Sequence, residues 1–361
     1  FNHLMNSIIQ TAAYGLVSYI FMLIIVPILK TVAKKVRLTD KPNARKIHTA
    51  PVPLIGGIAI GISILIINML NFVSYGITRE QAVIIITSFI LLLVGVVDDK
   101  FDINAKYKLL VQLFCAFIVA AAGNRITGLY GILGIHQIPI FWQYVLTITV
   151  IVGVVNAFNL MDGIDGLSGQ LSIIGFSFLS IFSFLNGDKS FTILFVCFLG
   201  ATMAFLKFNL RTDKIFMGDA GSLFIGSVIV NSSIYLLNEC SAFISSKPIL
   251  LYTIIGFLAV PVLDSLRVYL GRLKKGLSPF RPDKTHLHHL MLLISPSHFR
   301  VSISISLVAI GILLFITLIQ YFLSITASLI MIVVIFSMLG FFLNLNKKVI
   351  EWRERIRELE K

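Results

Sequence analysis

The chain has 361 residues, of which 57% are hydrophobic and only 13% are charged. A soluble domain carries about a quarter of charged residues, so this composition excludes an ordinary soluble protein. The apolar runs are nearly continuous over about twenty residues, whereas the strands of a membrane barrel alternate apolar and polar residues over about ten. We therefore predict an all-α, polytopic membrane protein.

Eleven apolar runs, taken in chain order, are long enough to cross about 30 Å of hydrocarbon as helices. They cover residues 8–33, 53–74, 81–97, 107–123, 140–157, 169–186, 190–207, 222–239, 248–270, 300–320 and 322–345. We predict a single transmembrane catalytic domain over residues 1–345 and a charged cytoplasmic tail over residues 346–361. In the tail, opposite charges recur at helical spacing, which favours a short helix in solvent or at the membrane surface.

The Lys and Arg residues are divided unequally between the two sides of this bundle. The loops on one side, together with the tail, hold 26 of the 30. Because cations gather in cytoplasmic loops, we predict the N-terminus outside and the C-terminus in the cytoplasm. The same rule explains the net charge of +13 without a nucleic-acid partner, and none is expected. The cytoplasmic loops expected to form the active site are residues 34–52, 98–106, 158–168, 208–221 and 271–299.

Acidic residues gather on the same side, where a charge close to hydrocarbon indicates a function. Asp98 and Asp99 lie together at the end of the third run. Adjacent residues on a helix point about 100° apart, so they suit two different roles better than equal ligation of one metal. One could be a base or metal ligand while the other orients a neighbouring group. The alternative is a solvated helix end, which the helix dipole makes unfavourable for carboxylates.

Four polar residues follow one another at intervals of three after the fifth run: Asn156, Asn159, Asp162 and Asp165. Neighbours at this spacing share a helical face, so their side chains can converge. Amides and carboxylates together suit a uracil edge, sugar hydroxyls or the water around a metal. The alternative is that Asn159 caps a helix and the Asp-Gly pairs form turns.

Asp219 lies between Gly218 and Gly221, immediately before the eighth run. Glycine lets backbone amides approach an anion, and a helix N-terminus favours negative charge. A carboxylate at this position could hold Mg²⁺ that bridges a diphosphate. The alternative is that Asp219 or Ser222 is only the N-cap of the following helix.

Histidines and cations gather in and before a proline-containing loop that follows the ninth run. Asp264 and Arg272 precede this loop, and His286, His288 and His289 occupy three of four consecutive positions within it. These residues suit a loop that grips phosphate or sugar. Zinc is disfavoured because no Cys pair or HExxH pattern accompanies them. The remaining alternative is a basic loop that contains histidines by chance.

Lys41, Arg45 and His48 form another basic loop, which leads to Gly56 and Gly57 at the start of the second run. A basic loop before a Gly-Gly helix start suits anionic ligands, and the alternative is cytoplasmic charge with a turn. Five segments thus bring carboxylates, amides, histidines and cations to one membrane face. This combination fits a Mg²⁺-dependent reaction on phosphorylated substrates, with a lipid as a candidate substrate.

Taken together, the motifs resemble the polyprenyl-phosphate N-acetylhexosamine-1-phosphate transferases. Among these, they are most similar to the bacterial undecaprenyl-phosphate N-acetylglucosamine-1-phosphate transferases. The matching segments begin at Asp40-Lys-Pro-Asn and end at His286-Leu-His-His. Between them lie Pro53-Leu-Ile-Gly-Gly, Val97-Asp-Asp, Asn156-Ala-Phe-Asn and Gly218-Asp-Ala-Gly-Ser.

The resemblance implies an enzyme of the bacterial inner membrane whose active site faces the cytoplasm. It would transfer N-acetylglucosamine-1-phosphate from UDP-N-acetylglucosamine to undecaprenyl phosphate, release UMP, and require Mg²⁺ or Mn²⁺. The product would start a surface polysaccharide such as O-antigen, and a homodimer is compatible with the resemblance. UDP-N-acetylgalactosamine and UDP-MurNAc-pentapeptide stay as alternative donors. The peptidoglycan enzyme, however, has three adjacent histidines where this chain has His286-Leu-His-His.

The resemblance also implies residue roles. Asp219 would be the principal metal ligand, and Asp98, supported by Asp99, would be a base, a metal ligand or an orienting group. Lys108 would bind the lipid phosphate. Asp162 and Asp165 would complete the catalytic group by holding the nucleotide or the water around the metal. The other substrate-binding candidates are Asn156, Asn159, Asp264, Arg272, His286, His288, His289, Lys41, Arg45 and His48.

A transporter of a phosphorylated lipid is the alternative from another functional class. Transporters place polar groups near the middle of the membrane, often in two related halves. Here Asp264 and Arg267 are the deepest charges in the predicted runs, and no second half is visible. The placement of charge therefore favours the enzyme.

Overall fold

The computed structural model describes residues 2–40, 50–239, 247–278 and 285–359. Over these residues the chain forms helices and one two-stranded sheet. In order they are α1 (Asn2–Val36), β1 (Thr39–Asp40), β2 (Val52–Pro53), α2 (Gly56–Tyr75), α3 (Arg79–Phe101), α4 (Ala105–Ala121), α5 (Ile140–Met161), α6 (Leu167–Leu185), α7 (Lys189–Asn209), α8 (Gly218–Glu239), α9 (Lys247–Lys274), α10 (Leu287–Leu292), α11 (His298–Ile319) and α12 (Ile325–Leu359). The candidates Lys41, Arg45 and His48 lie outside the described residues.

Within the described residues, ten helices are long and apolar enough to cross a membrane, which confirms the prediction of a multi-pass, all-α membrane protein. The remaining predicted span, over residues 107–123, corresponds to α4, which has 17 residues. At 1.5 Å per residue its length is about 26 Å, slightly less than the hydrocarbon thickness.

Helix α8 lies at the centre of the bundle, and every residue in its most apolar stretch of 18 residues is buried. Its first turn packs against α2 and α3 at glycines. A Cβ atom added to Gly57 would overlap the backbone of Gly221, and one added to Gly95 would overlap the backbone of Ala220. Small residues allow such close approach of membrane helices, so the start of α8 is held tightly on two sides.

A small sheet holds the segment that leads into α8. β1 and β2 pair antiparallel, with Thr39 opposite Pro53. The chain then runs beside residues 216–217: the backbone N–H groups of Gly56 and Gly57 donate to the carbonyl oxygens of Phe216 and Met217, both at 2.9 Å. These amides are engaged within the protein. The N–H groups of Gly56 and Gly57 therefore do not contribute to an anion site, and this segment supports the start of α8.

The loops that carry the acidic motifs meet at one end of the bundle, which we call the site face. Here α3, α5 and α7 end, and α4, α6, α8 and α11 begin. The other end has its own polar network: the Asp188 carboxylate accepts hydrogen bonds from Gln81 at 2.6 Å and from Tyr235 at 3.3 Å. That network joins α3, α7 and α8 at the ends of these helices opposite to the acidic motifs.

Candidate active site

Two carboxylates and one ammonium group form the centre of the site face. Asp98 comes from the last turn of α3, Lys108 from the first turn of α4 and Asp219 from the first turn of α8. The Lys108 ammonium donates to both carboxylates. The second oxygen of Asp98 accepts the backbone N–H of Ile103 at 3.0 Å. The three charged groups are partly buried and lie within reach of one small cation or phosphate.

Asp99 points away from this pair and contacts the backbone of α8. Its carboxylate accepts the N–H groups of Asp219 at 2.8 Å and Ala220 at 3.1 Å. Gly218 precedes them with φ +73°, and a Cβ there would lie 2.5 Å from an Asp99 oxygen. The cap of α8 thus comes from α3. The alternative interpretation, in which Asp219 or Ser222 caps this helix, is wrong.

The four polar residues at intervals of three, from Asn156 to Asp165, do not form one wall but have different partners. Asn159 donates to the Ser222 hydroxyl at 3.0 Å and interacts with the Asp219 carboxylate, so it belongs to the centre of the site. Asn156 donates to the Gln112 side chain at 2.6 Å and to the Val152 carbonyl at 2.8 Å. Asn156 therefore faces α4 and shapes the protein rather than the centre of the site.

Asp162 directly follows α5 and accepts the Ser168 hydroxyl at 2.5 Å. Burial raises the pKa of Asp162 well above its usual value, and the carboxylates of Asp219, Asp99 and Asp165 raise it further. The Ser168 hydrogen bond opposes this shift without cancelling it. Asp162 is thus electrostatically part of the acidic cluster and favours its protonated form.

Asp165 has cationic partners instead. Its carboxylate contacts the Lys214 ammonium at 2.7 Å and the His298 Nδ1 at 3.1 Å. Burial alone would raise the pKa of Asp165, but hydrogen bonds to His298 and Lys214 outweigh burial and hold the pKa below its usual value. The carboxylate is therefore ionised and fixes the loop between α5 and α6.

Sequence reasoning missed Lys214, His298 and Asn209. The side-chain oxygen Oδ1 of Asn209 accepts the backbone N–H of Gly166 at 2.7 Å. The side-chain Nδ2 of Asn209 donates to the backbone carbonyl of Ile215 at 2.8 Å. All three lie within predicted active-site loops, and that position is the only signal that the sequence offers for them. Their contacts with residues 165–166 cross long stretches of sequence that no local pattern connects.

Asp264 organises the start of α10 from within α9. Its fully buried carboxylate contacts Arg267 Nη2 at 2.7 Å and His286 Nδ1 at 2.9 Å. It also accepts the backbone N–H of Leu287 at 3.0 Å. A carboxylate with no exposed surface and these internal partners does not face a ligand. The expectation that Asp264 binds substrate is therefore corrected: it orients His286 and caps α10.

The histidines of the last motif form a stack beside the loop after α5. The rings of His286 and His288 are nearly parallel with centroids 5.8 Å apart, and His289 lies 4.3 Å from His288. Within the described part of the chain, His286 Nε2 and His288 Nδ1 are buried without a hydrogen-bond partner. A Cβ on Gly163 would lie 2.5 Å from His288 Nε2, so the two loops touch.

Burial lowers the pKa of His288 to about 3, and the neighbouring His289 and His286 contribute to the shift. His288 is therefore neutral at physiological pH. Arg272, in the last turn of α9, is also buried, and its guanidinium carbon lies 5.7 Å from the ring centroid of Tyr269. The histidine stack and Arg272 thus sit in protected surroundings, where polar groups are strong hydrogen-bonding sites.

No three His, Cys, Asp or Glu residues among those described are arranged to enclose a metal ion. Asp98 and Asp219 nevertheless reach the same ammonium group, so both can reach one small cation if Lys108 moves aside. Mg²⁺ is commonly bound by one or two carboxylates, several waters and substrate phosphates. The pair therefore fits a cation whose remaining ligands come from water and substrate.

The chain is similar in sequence to known membrane transferases. The glycosyl transferase family 4 model matches residues 81–237, which include Asp98, Lys108 and Asp219. A Bacillus subtilis (strain 168) protein named probable undecaprenyl-phosphate N-acetylglucosaminyl 1-phosphate transferase is 34% identical over 285 residues, covering 78% of this chain and 77% of the relative. The Escherichia coli (strain K12) undecaprenyl-phosphate alpha-N-acetylglucosaminyl 1-phosphate transferase is 32% identical over 289 residues, with the same coverage.

Fold and site together define a multi-pass membrane transferase. The chain belongs to glycosyl transferase family 4. This confirms the resemblance inferred from the motifs and favours a transferase over the transporter alternative.

Proposed function

We propose that this protein transfers N-acetylglucosamine-1-phosphate from UDP-N-acetylglucosamine to undecaprenyl phosphate. The products are undecaprenyl-diphospho-N-acetylglucosamine and UMP. The observation that carries the proposal is the convergence of Asp98, Lys108 and Asp219 at the start of the central helix α8. The names of the Bacillus and Escherichia relatives support the choice of lipid and sugar.

The proposal includes Mg²⁺ or Mn²⁺ as the cofactor. Asp219 and Asp98 are the residues that would hold it. Such a cation would supply positive charge to the diphosphate and to the departing UMP. The Lys108 ammonium, which here bridges the two carboxylates, would then be available to a phosphate group. The lipid phosphate is the partner that we assign to it.

In the proposed reaction, an oxygen of the lipid phosphate forms a bond to the β-phosphorus of the sugar nucleotide. The bond from that phosphorus to the oxygen bridging the α-phosphate breaks, and UMP leaves with the electron pair. The sugar keeps its bond to the β-phosphate. Because the lipid phosphate is already an anion at neutral pH, the step does not need a strong base. We therefore assign Asp98 to cation binding and charge placement rather than to proton removal.

The remaining polar groups suit the rest of the donor. His286 Nδ1–H donates to the Asp264 carboxylate, which leaves Nε2 of His286 to accept a hydrogen bond from a sugar hydroxyl. Neutral His288 can donate or accept a hydrogen bond at Nδ1. Asn159, an amide, and Asp162, whose raised pKa favours a protonated carboxyl, suit the nucleotide.

We place the site face at the cytoplasmic side of the bacterial inner membrane, because Lys and Arg concentrate in the loops of that face. There the product is the lipid-linked first sugar of a surface polysaccharide. The described part of the site comes from one chain, so the proposal does not require a homodimer.

The proposal is tested with the purified protein, undecaprenyl phosphate and Mg²⁺. UMP release is measured with UDP-N-acetylglucosamine, UDP-N-acetylgalactosamine and UDP-MurNAc-pentapeptide, and a control lacks the lipid. We expect UMP release that depends on the lipid, and we expect it to be far greater with UDP-N-acetylglucosamine than with the other two sugar nucleotides. A clear preference for another sugar nucleotide would refute the proposed donor, and lipid-independent UMP would refute the proposed acceptor.

A further inference from the structure

A basic cavity of about 470 Å³ lies on the site face. It is separate from the carboxylate cluster formed by Asp98, Asp99, Asp162 and Asp219, none of which lines it. It is bounded by the last third of α1 and by the segment that follows α7. Lys30, Lys34 and Arg211 line it with cations, while Pro27 and Phe208 contribute apolar walls. The cavity thus combines positive charge with apolar surface at the ends of two membrane-crossing helices.

The cations in this cavity exceed its acidic charge. Lys30 is paired with Asp213, whose backbone carbonyl accepts its ammonium at 2.8 Å and whose carboxylate accepts it at 2.5 Å. The pKa of Asp213 is lowered by Lys30, with a contribution from Lys34. Neither Lys34 nor Arg211 forms an ion pair with any described residue. Two positive charges therefore stay uncompensated beside one ion pair.

Two of the cations are held in place, which distinguishes the cavity from a row of solvated lysines. The side chain of Lys30 is only 13% exposed. The guanidinium of Arg211 lies over the ring of Phe208, 5.4 Å from its centroid. Long cationic side chains at helix ends commonly extend to water without binding anything. Burial of Lys30 and stacking of Arg211 restrict that freedom for two of the three cations.

An apolar strip on α1 leads from this cavity along the membrane span. Ile20, Ile24, Ile28 and Val32 are each between 46 and 60% exposed. Their spacing of four places them along one side of the helix. On a membrane-crossing helix such exposed apolar side chains face acyl chains. The cavity therefore opens beside a surface suited to hydrocarbon.

We propose that this cavity binds the phosphate headgroup of an anionic glycerophospholipid, whose acyl chains lie along the strip on α1. Basic pockets between membrane helices bind such headgroups, and each nearby Lys or Arg adds to the attraction. The site is separate from the carboxylate cluster, and its occupancy does not depend on the proposed transferase reaction. It does adjoin the active site: Asp213 belongs to the cavity, and the next residue, Lys214, contacts Asp165.

The test uses the full chain, purified in detergent, stripped of lipid and titrated with phosphatidylglycerol or phosphatidylcholine. Bound lipid is counted by native mass spectrometry. The variant Lys34→Gln/Arg211→Gln removes the two unpaired charges. The matched control, Lys348→Gln/Arg353→Gln, removes two charges from exposed positions on α12. Melting temperatures without lipid verify that both variants are folded.

We expect the wild type and the control to prefer phosphatidylglycerol, and Lys34→Gln/Arg211→Gln to bind it about tenfold more weakly or worse. Asp213→Asn removes the competing carboxylate and should strengthen binding, a gain that misfolding cannot produce. Equal binding by both double variants would overturn the proposal. So would competition by soluble glycerol phosphate as effective as that by the whole lipid, which would identify a free-anion site. Preferential displacement by undecaprenyl phosphate would identify a substrate site and would also overturn it.

Discussion

The carboxylate of Asp99 on α3 accepts the backbone N–H of Asp219 on α8 at 2.8 Å, so one aspartate holds the backbone that carries the other. The N–H groups in the first turn of a helix lack partners within that helix. The Asp99 side chain supplies the acceptors for two of these groups. Asp98, its neighbour in sequence, instead shares Lys108 with the side chain of Asp219. Asp99 thus holds the backbone of Asp219, and Asp98 is linked to its side chain through Lys108.

Replacing Asp99 should therefore affect stability as well as turnover. Asp99→Ala removes both acceptors and is expected to lower the free energy of unfolding by about 1–2 kcal/mol, the usual range for loss of a helix cap. Asp99→Asn keeps one acceptor oxygen and should lie between the alanine variant and the wild type. Melting temperature in detergent, measured without substrate or metal, is the readout. An inactive Asp99→Ala with an unchanged melting temperature would instead place Asp99 in the chemistry.

Asp219→Asn and Asp98→Asn change charge with little change of shape. Each should slow UMP release with Mg²⁺ by about a hundredfold or more, because each removes charge that would stabilise a cation on the diphosphate. Glu351→Gln, on the exposed tail of α12, is the matched control and should retain normal turnover. Near-normal turnover by a folded Asp219→Asn protein would show that the metal assignment is wrong.

The membrane helices could be predicted from sequence because apolar runs of this length have few other stable conformations. Which helix is central could not. In the most apolar 18-residue stretch of α8, 100% of the residues are buried. In the corresponding stretch of α11 only 33% are buried, although α11 is the more hydrophobic helix. Lipid is as apolar as leucine, so the most hydrophobic helices face lipid. Helix α8 instead uses Gly221, Ser227 and Asn231 for close packing and hydrogen bonds.

The site was predicted as a set of segments, but not as a set of contacts. The spacing of three between Asn156 and Asp165 suggested one wall, yet α5 ends at Met161. Spacing determines a shared face only while the helix continues. Beyond it, Asp165 turns toward Lys214 and His298, whose positions depend on packing between distant helices. Tertiary contacts of this kind leave no local pattern in a single sequence.

Gly57→Ala tests the contact between α2 and the start of α8. The added Cβ would meet backbone atoms of Gly221, which cannot rotate away as a side chain could. We expect a loss of about 1–3 kcal/mol in stability, as for other overpacked sites, together with lower turnover. Gly311→Ala is the control, because a Cβ at this glycine of α11 has no atom within 4 Å. Equal melting temperatures for the two variants would contradict the observed packing.

His288 should make the stability of the protein sensitive to mild acid. Burial, with His289 and His286 nearby, lowers the pKa of His288 to about 3, whereas an unfolded histidine titrates near 6.5. Between these values the unfolded chain binds more protons, so stability is lost as the pH falls below about 6.5.

The titration of His288 alone should lower the free energy of unfolding by about 2 kcal/mol at pH 5 relative to neutral pH. His288→Gln removes the titration, so its melting temperature should fall less between pH 7.5 and pH 5 than that of the wild type. The variant's stability at neutral pH does not enter the comparison, since only the difference between the two pH values matters. Identical differences for both proteins would show that the His288 imidazole is not held neutral by its surroundings.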